Sequence, residues 1–281
     1  MAEGRDLPVP VRRAASALVD INKRRRALQG KLLSVDMDVW DGMVYGEHPA
    51  QKMDAWELLD FAPRDGWPAA LFLHGGGWQT GDKEAFSVQA PLLARRGILA
   101  ISAGYRLAPE HPWPAQLQDV LAAIENLRTL QVDPTRIALW GVSVGGQLAL
   151  LAAQILGPEI ISAVVTVGAP ADLTAWDDPA LDQVFTHDQL SAASPTLRPE
   201  KLPPTLALHG ALDRSVPVSQ ARALKAAHPE ITLRVVPFAD HMLRIPPGVG
   251  IRELRGARKW LTEQIATSSR RSKWKAHKKK K

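Results

Sequence analysis

The chain has 281 residues, 46% of them hydrophobic and 23% charged, which is ordinary for a globular protein and suits one large α/β domain or two small ones. No apolar run reaches the roughly 20 residues that a membrane span needs. The polar start from Met1 to Val11 lacks the hydrophobic region of a secretory signal, so the cytoplasm is the expected compartment. The absence of cysteine excludes disulfides, cysteine nucleophiles and thiolate metal sites.

The net charge of +6 comes from the C-terminal tail. Residues 270–281 carry eight lysines and arginines and no acid, so the rest of the chain carries −2. Blocks of like charge are usually solvated. We therefore predict a disordered basic tail over 269–281, with a salt-sensitive polyanion contact as the alternative. Nucleic acid is not an expected partner of the main domain.

Residues 1–40 are predicted to form an N-terminal helical segment. A basic stretch over residues 12–30 places its apolar side chains at roughly helical spacing, so one face would pack on the main domain and contribute to a cap. One or two edge strands are expected between Val44 and Phe61.

From residue 69 onward, short apolar runs alternate with helix-like stretches. The predicted strands are Ala69–Leu73, Ile98–Ala103, Arg136–Trp140, Ala163–Val167, Thr205–Leu208 and Leu233–Val236. The predicted helices lie near Lys83–Arg95, Ala115–Leu130, Gly145–Leu156, Ser219–Ala227 and Arg252–Ala266. This alternation predicts an α/β domain over 41–268, built on a doubly wound, mostly parallel sheet. In such sheets, sites form at the carboxyl ends of strands.

A glycine-rich loop, His74-Gly75-Gly76-Gly77-Trp78, follows the first of these strands. Acyl transfer builds negative charge on a carbonyl oxygen, and backbone N–H groups must meet that charge. Consecutive glycines let the backbone approach a substrate closely. We predict oxyanion donors at Gly75 and Gly76, a substrate contact at Trp78, and a bracing role for His74. A phosphate-binding loop does not fit, because no Lys-Ser/Thr follows and no Gly-x-Gly-x-x-Gly is formed.

Ser143 is the predicted nucleophile. The strand ending at Trp140 runs into Gly141-Val142-Ser143-Val144-Gly145, and an apolar helix follows at once. A Gly-x-Ser-x-Gly pattern in this context holds the serine on a sharp turn, where neighbouring chains leave room only for small residues. The N–H of Val144 is the third predicted oxyanion donor. An incidental serine in a glycine-rich turn is the less favoured reading.

The segment Ala171–Leu202, between two predicted strands, is longer than an ordinary connection. We interpret it as a small cap-like insertion whose Trp176, Phe185 and His187 contact the substrate. A surface excursion that two aromatic residues anchor to the body is the alternative. A small cap favours short acyl chains over long lipids.

His241 is the predicted base, and Asp213 is the predicted carboxylate that orients it. Each follows a later strand, which gives the chain order Ser, Asp, His. The carboxylate would hold the imidazole tautomer and stabilise its cation. Asp240 is a poorer orienter, because neighbours in an extended segment point apart. His209 is interpreted as structural, and His228 as a helix cap or a solvent-facing residue.

No spacing typical of metal ligands stands out, so neither a metal nor another cofactor is expected. The remaining histidines, His48, His111 and His277, show no partner pattern.

Three blocks of the chain resemble the hormone-sensitive-lipase-like esterases of the α/β-hydrolase superfamily. They are His74–Trp78, the long and specific block Tyr105–Ala115, and Gly141–Gly146. The resemblance covers roughly residues 44–265 and implies an α/β-hydrolase fold with a small cap. It also implies that the middle block is a structural corner without a catalytic residue, so that Tyr105 and Glu110 shape the site.

The chain departs from the family pattern at three points. Val142 and Val144 stand where Asp and Ala are more typical, and no glycine precedes His241. Short segments at Val44–Gly46 and Gly76–Lys83 are similar to the feruloyl-esterase-like and kynurenine-formamidase-like branches, which keeps amide or formamide cleavage open.

The expected function is hydrolysis of small carboxylic esters through an acyl-enzyme. One alternative is an arylformamidase that acts on an N-formylkynurenine-type amide. The other is a non-catalytic α/β-hydrolase scaffold whose basic tail binds a polyanion, and the intact set of serine, acid, base and glycine loop argues against it.

Overall fold

The computed structural model describes residues 37–59, 63, 65–244 and 248–278, with side chains described as far as Ala266. The N-terminal helical segment predicted over residues 1–40 therefore lies outside the described residues up to residue 36, and residues 37–40 belong to a strand and not to a helix. The last three lysines of the tail lie outside the described residues as well.

The described residues form one sheet of eight strands. The strands are β1 Met37–Val44, β2 Lys52–Leu58, β3 Trp67–Leu73, β4 Leu99–Ala103, β5 Val132–Val142, β6 Ile161–Val167, β7 Thr205–Gly210 and β8 Thr232–Val236. Their order is β1-β2-β4-β3-β5-β6-β7-β8. Strands β1 and β2 run antiparallel at one edge, and the other six are parallel to one another. The predicted mostly parallel sheet is confirmed.

Helices connect the parallel strands. They are α1 Gln89–Ala94, α2 Ala115–Leu127, α3 Val144–Leu156, α4 Gln189–Ala192, α5 Val218–Ala227 and α6 Val249–Lys278, with 3-10 turns at Lys83–Phe86, Leu181–Gln183 and Pro195–Leu197. The single helix predicted over Lys83–Arg95 is instead a 3-10 turn followed by α1. Pro91 accounts for the break, because it cannot donate to the carbonyl four residues earlier and so must lie in a first helical turn.

Successive residues of the central strands face opposite layers of the molecule. Leu71 and Leu73 of β3 pack in one hydrophobic core with α2 and α3, whereas Phe72 packs in a second core with α1 and α6. Because side chains alternate across a strand and both faces are covered, β3 is apolar along its whole length.

Helix α6 is longer than the sequence predicted. Its buried residues Ala257, Leu261 and Ile265 lie on one side and pack against the sheet. The helix then continues to Lys278, so residues 269–278 are helical where we predicted disorder. The physical reason is composition: this stretch has no glycine or proline, and arginine, lysine and alanine favour helices. Among the described helices, none combines the length and the apolar character that a bilayer crossing requires.

Candidate active site

Ser143 lies on the turn that joins β5 to α3. Its backbone has φ 53° and ψ −127°, a conformation that residues with side chains rarely adopt and that costs about 1–3 kcal/mol. The surroundings hold it there, since its N–H donates to the Val167 carbonyl at 2.8 Å and its own carbonyl accepts from Gly146 N–H at 2.8 Å. The turn lifts the side chain away from the strand, and Ser143 remains partly exposed.

The two glycines of the Gly-x-Ser-x-Gly pattern are required by close backbone approaches. A Cβ at Gly141 would lie 2.1 Å from the Gly145 carbonyl oxygen, and a Cβ at Gly145 would lie 2.1 Å from the Leu73 carbonyl oxygen. Real Cβ atoms do not approach so closely. The pattern is therefore explained by packing of the turn against itself and against the end of β3.

The glycine-rich loop lies directly beside Ser143. A Cβ placed on Gly75 would be 3.0 Å from the Ser143 Cβ. The next residue, Gly76, has φ 118°, and its carbonyl accepts from the N–H groups of Gln79 and Thr80 in a tight turn. The loop thus follows the nucleophile turn closely, and Val144 begins α3 on the other side of the serine.

His74 and Tyr105 support the glycine-rich loop through ring stacking and hydrogen bonds. Their rings stack with centroids 4.0 Å apart, and the Tyr105 hydroxyl donates to the His74 carbonyl at 2.7 Å. The His74 Nδ1 lies 2.7 Å from the Gly75 carbonyl oxygen. Burial lowers the pKa of His74, so the ring is neutral. A bracing role fits both the contacts and the sequence expectation.

Asp213 and His241 form a hydrogen-bonded pair on the loops after β7 and β8. His241 Nδ1 lies 2.6 Å from Asp213 Oδ2, and the side chain of Asp213 is fully buried. The other carboxylate oxygen accepts from the N–H groups of Ser215 and Val216, both at 2.9 Å. Burial alone would raise the pKa of Asp213, but hydrogen bonds from His209, His241 and Val216 outweigh it and hold the pKa well below the ordinary value.

Ser143 and His241 both contact the end of β6. Val167 accepts the N–H of Ser143, and the next residue, Gly168, lies against His241: a Cβ there would be 2.9 Å from His241 Nδ1. The structure therefore brings Ser143, Asp213 and His241 to the carboxyl end of the parallel strands. Asp240 takes no part, because its carboxylate accepts from the backbone N–H of Arg244 at 2.6 Å.

The aromatic residues that we predicted to contact substrate cluster beside the glycine-rich loop. Trp78 and Phe185 pack edge to face at 5.0 Å, Trp176 lies 6.3 Å from Trp78, and Trp113 lies 5.3 Å from Phe185. Trp78 has φ 61° and points inward, where it is 1% exposed and its Nε1 donates to Gln147 Oε1. Trp78 and Phe185 are therefore buried supports, and the half-buried Trp176 is the member of the cluster that can face a ligand.

His187 does not belong to this cluster. Its side chain is exposed, on the loop just before α4. The prediction that it lines a substrate pocket gains no support from its position. The sequence showed only that it lies in an irregular loop, and the direction of a loop side chain depends on how the loop folds back.

Three buried glutamines tie the cap-like segment 171–202 to the body. Gln147 donates to the Ala193 carbonyl at 2.7 Å, and Gln154 donates to the Pro195 carbonyl at 3.0 Å. Gln220 accepts from the N–H of Ala171 at 2.8 Å and also from the N–H of the next residue. Because buried polar groups are costly to leave unpaired, these bonds fix the segment on helices α3 and α5. Sequence reasoning missed these glutamines, since no local pattern marks their partners.

Histidine contacts beyond the triad were also missed. His48 and His111, for which no partner was predicted, have their Nε2 atoms 3.2 Å apart. His228 stands at the C-cap of α5, where its backbone N–H donates to the Leu224 carbonyl, but its side chain neither caps the helix nor faces solvent: it is buried and its Nε2 contacts the Pro195 carbonyl. His209 lies against Asp213 itself, with its Nε2 3.2 Å from Oδ2. In the described part of the chain, no three histidine or carboxylate side chains are grouped as metal ligands would be.

A mostly parallel sheet that carries a serine on a strained strand-to-helix turn, next to a His–Asp pair, defines the α/β-hydrolase class of proteins. The chain belongs to the α/β-hydrolase family: the family described as "alpha/beta hydrolase fold" matches residues 70–243, which is more than half of the chain.

The chain is also similar to individual esterases. It is 30% identical to Esterase LipC of Mycobacterium tuberculosis over 64% of this chain and 53% of that one. It is 31% identical to Esterase LipQ of the same organism over 67% and 52%. The solved structure of Thermogutta terrifontis esterase 2 superposes with a TM-score of 0.66 at 25% identity, covering 81% of this chain and 94% of that one. The chain spans about half the length of these two curated relatives. The resemblance to α/β-hydrolase serine esterases that the three blocks indicated is confirmed.

Proposed function

We propose that this protein hydrolyses small carboxylic esters through an acyl-enzyme intermediate. The observation that carries the proposal is the strained Ser143 turn packed beside the hydrogen-bonded Asp213–His241 pair. The named relatives, which are esterases, support ester cleavage as the chemistry.

In the acylation step, His241 Nε2 takes the proton of the Ser143 hydroxyl as the oxygen attacks the ester carbonyl. Negative charge develops on the carbonyl oxygen, and the N–H groups of Gly75, Gly76 and Val144 would donate to it. The tetrahedral intermediate then releases the alcohol, which receives the proton from His241. A serine ester remains as the acyl-enzyme.

In the deacylation step, water replaces the alcohol. His241 takes a proton from the attacking water, and the same backbone donors stabilise the second tetrahedral intermediate. Collapse of this intermediate releases the carboxylic acid and returns the proton to Ser143. Asp213 stays ionised throughout, since its pKa lies well below the ordinary value, and it orients the imidazole and stabilises its cation.

The preference for small substrates rests on the cap-like segment. Residues 171–202 contain only 3-10 turns and the one-turn helix α4, and buried glutamines hold them against helix α3. Trp176 is the half-buried aromatic residue of this segment. A fixed, small cover of this kind favours short acyl chains.

The test compares the hydrolysis of p-nitrophenyl acetate, butyrate and octanoate by the wild type and by Ser143→Ala. We expect turnover of the short esters to be highest and to fall by about 10⁴-fold or more in the variant, because the variant lacks the nucleophile. N-formylkynurenine is assayed alongside. A strong preference for it would move the assignment to an arylformamidase, and equal rates for wild type and variant on every substrate would refute catalysis by Ser143.

A further inference from the structure

Asp213 lies between two imidazole rings. His241 contacts its Oδ2 from the loop after β8 at 2.6 Å, and His209 at the end of β7 contacts the same oxygen at 3.2 Å. Both His209 and the Asp213 side chain are buried, with 1% and 0% exposure. His209 was expected to be a structural residue of the strand end, yet it reaches the carboxylate directly.

The contacts of His209 define its protonation. Its Nε2 faces two acceptors, Asp213 Oδ2 and the Val216 carbonyl oxygen at 2.9 Å. A carbonyl and a carboxylate cannot donate, so Nε2 must carry the proton. Its N–H donates to the Val216 carbonyl oxygen at 2.9 Å, and Asp213 Oδ2 lies 3.2 Å from the same nitrogen as a second, longer contact. Because the side chain is buried and held by Val216, His209 presents a fixed N–H to Asp213.

In the described part of the chain, four N–H groups face this carboxylate. Those of Ser215 and Val216 donate to Oδ1, and the imidazoles of His241 and His209 contact Oδ2 at 2.6 Å and 3.2 Å. A buried carboxylate remains ionised only where donors and positive charge replace its lost hydration. Of the two imidazoles, His241 takes up and gives back a proton at Nε2 during turnover, whereas His209 keeps its proton.

We propose that His209 is a positioning residue of the active site, which holds Asp213 ionised and aimed at His241. This inference rests on the proposed function, because it assigns a role in the reaction of Ser143. His209 touches neither the substrate nor the reacting serine in this role, and it acts only through the carboxylate.

The first test is His209→Leu, which removes the donor at similar volume. We expect kcat to fall by about tenfold to hundredfold, which is the range for a lost hydrogen bond to a charged group, with little change in KM for p-nitrophenyl acetate. The loss should be larger at pH 5 than at pH 8, because a buried carboxylate that has lost a donor takes up a proton more readily. A loss that is equal at the two pH values, or smaller at pH 5, would overturn the proposal.

His209→Gln and His228→Leu are the matched variants. Glutamine can still place an N–H near the carboxylate, so it should restore most of the activity and the wild-type pH profile. His228 is another buried histidine, and its Nε2 contacts the Pro195 carbonyl and Gln154, neither of which belongs to the triad. Its leucine variant should lose stability without changing the shape of the pH profile. An unchanged profile in His209→Leu, or failure of glutamine to rescue, would leave His209 structural.

A spectroscopic measurement covers the case in which the leucine variant does not fold and separates this inference from the proposed function. The proton between His241 Nδ1 and Asp213 Oδ2 should give a far-downfield NMR resonance, and His209→Gln should shift it. If Ser143→Ala shows that the serine is not the nucleophile, the shift still tests whether His209 controls the carboxylate. An unmoved resonance would contradict the inference even where ester hydrolysis is established.

Discussion

Close backbone approaches around Ser143 leave no room for a side chain at the glycines of its turn. At Gly145, a methyl group would lie 2.1 Å from the Leu73 carbonyl oxygen and 2.3 Å from the His74 carbonyl oxygen. Neither obstacle is a flexible side chain, so the backbone would have to shift. The same shift would displace both the nucleophile and the glycine-rich loop.

We therefore expect Gly145→Ala to lower the free energy of unfolding by about 1–3 kcal/mol and to reduce esterase activity. Gly256→Ala is the matched control, because Gly256 is also helical but has only a flexible arginine atom within 4 Å, at 3.7 Å. That variant should gain about 0.8–1 kcal/mol from helix propensity. Urea denaturation measures both, and equal changes in the two variants would contradict the steric explanation.

Asp213 gives a pH-dependent contribution to stability with a definite sign. Its pKa is lower in the folded chain than in the unfolded chain, where a carboxyl group titrates at about 3.9. Its stabilisation is therefore present above that value and is lost as the pH falls below it. The free energy of unfolding of wild type minus that of Asp213→Asn should be constant above about pH 5 and should shrink toward pH 3. A difference that grows on acidification would show that the carboxylate is not stabilised in the fold.

At the residue scale, the sequence predicted what local pattern defines. Ser143 stands in a strand–turn–helix pattern, and Asp213 and His241 each follow a strand, so their positions could be read along the chain. Trp78 could not be assigned correctly, because the φ of 61° that turns its ring inward follows from the folded loop. His209 was undervalued for a similar reason: its contact depends on the loop from Ala211 to Val216 returning to the strand end.

A buried ionic cluster joins the antiparallel edge of the sheet to the turn after the glycine-rich loop. Lys83 Nζ lies 3.0 Å from Asp54 Oδ2 and 3.3 Å from Asp41 Oδ1. The Gly42 N–H donates to the other oxygen of Asp54. Burial, together with the neighbouring Asp41, raises the pKa of Asp54 to about 6 despite the lysine and the backbone donor.

The raised pKa of Asp54 predicts the opposite pH dependence from Asp213. Between about pH 4 and pH 6 the unfolded chain releases this proton while the folded chain keeps it, so the contribution of Asp54 to stability is lost as the pH rises through 6. Asp54→Asn cannot ionise, so wild type should lose free energy of unfolding relative to this variant between pH 4 and pH 7. Urea denaturation across that range checks this, and a constant difference would mean that the lysine keeps Asp54 ionised.

At the element scale, strands were predicted more accurately than helix ends. The apolar runs at β3 and β6 are continuous because both faces of those strands are buried, which leaves a clear signal. The interruption before α1 and the extension of α6 to Lys278 were not predicted. Helix ends depend on capping and on residue propensities, which contribute about 1 kcal/mol or less per residue, and on proline, which costs about 3 kcal/mol in a helix interior.

Charge is distributed unevenly over the whole molecule. The basic residues of 270–281 account for more than the entire net charge, and they follow the α6 residues Ala257, Leu261 and Ile265 that pack on the sheet. Stability and catalysis should therefore be separable from the tail.

A chain that ends at Ser268 should keep its free energy of unfolding within about 0.5 kcal/mol and its esterase activity. Its retention on a heparin column should fall sharply, since a block of like charges supplies salt-dependent contacts with polyanions. Loss of activity on truncation would assign the tail a role in the site, and unchanged retention would place the polyanion contact on the main domain.

The fold class was predictable from the alternation of strands and helices, but the strand order was not. β4 lies between β2 and β3, so the chain crosses over after β3 and again before β5. Apolar runs of similar composition carry no information about their neighbours in the sheet. The meeting of Ser143, Asp213 and His241 was predicted by the rule that parallel strands gather their carboxyl ends, and not by any knowledge of the order.

In the proposed function, residues 171–202 cover the site, so the glutamine bonds that hold them against α3 and α5 bear on how a substrate reaches it. If this segment were a mobile lid, the substrate could enter only while the lid was open. Product formation would then begin after a delay or would vary with the lifetime of the open form. With its carbonyls and amides already bonded to Gln147, Gln154 and Gln220, this cover is in place before the ester comes. We expect substrate binding to be limited by diffusion and by the shape of a permanently open entrance. Product should therefore form without a lag phase after enzyme and ester are mixed.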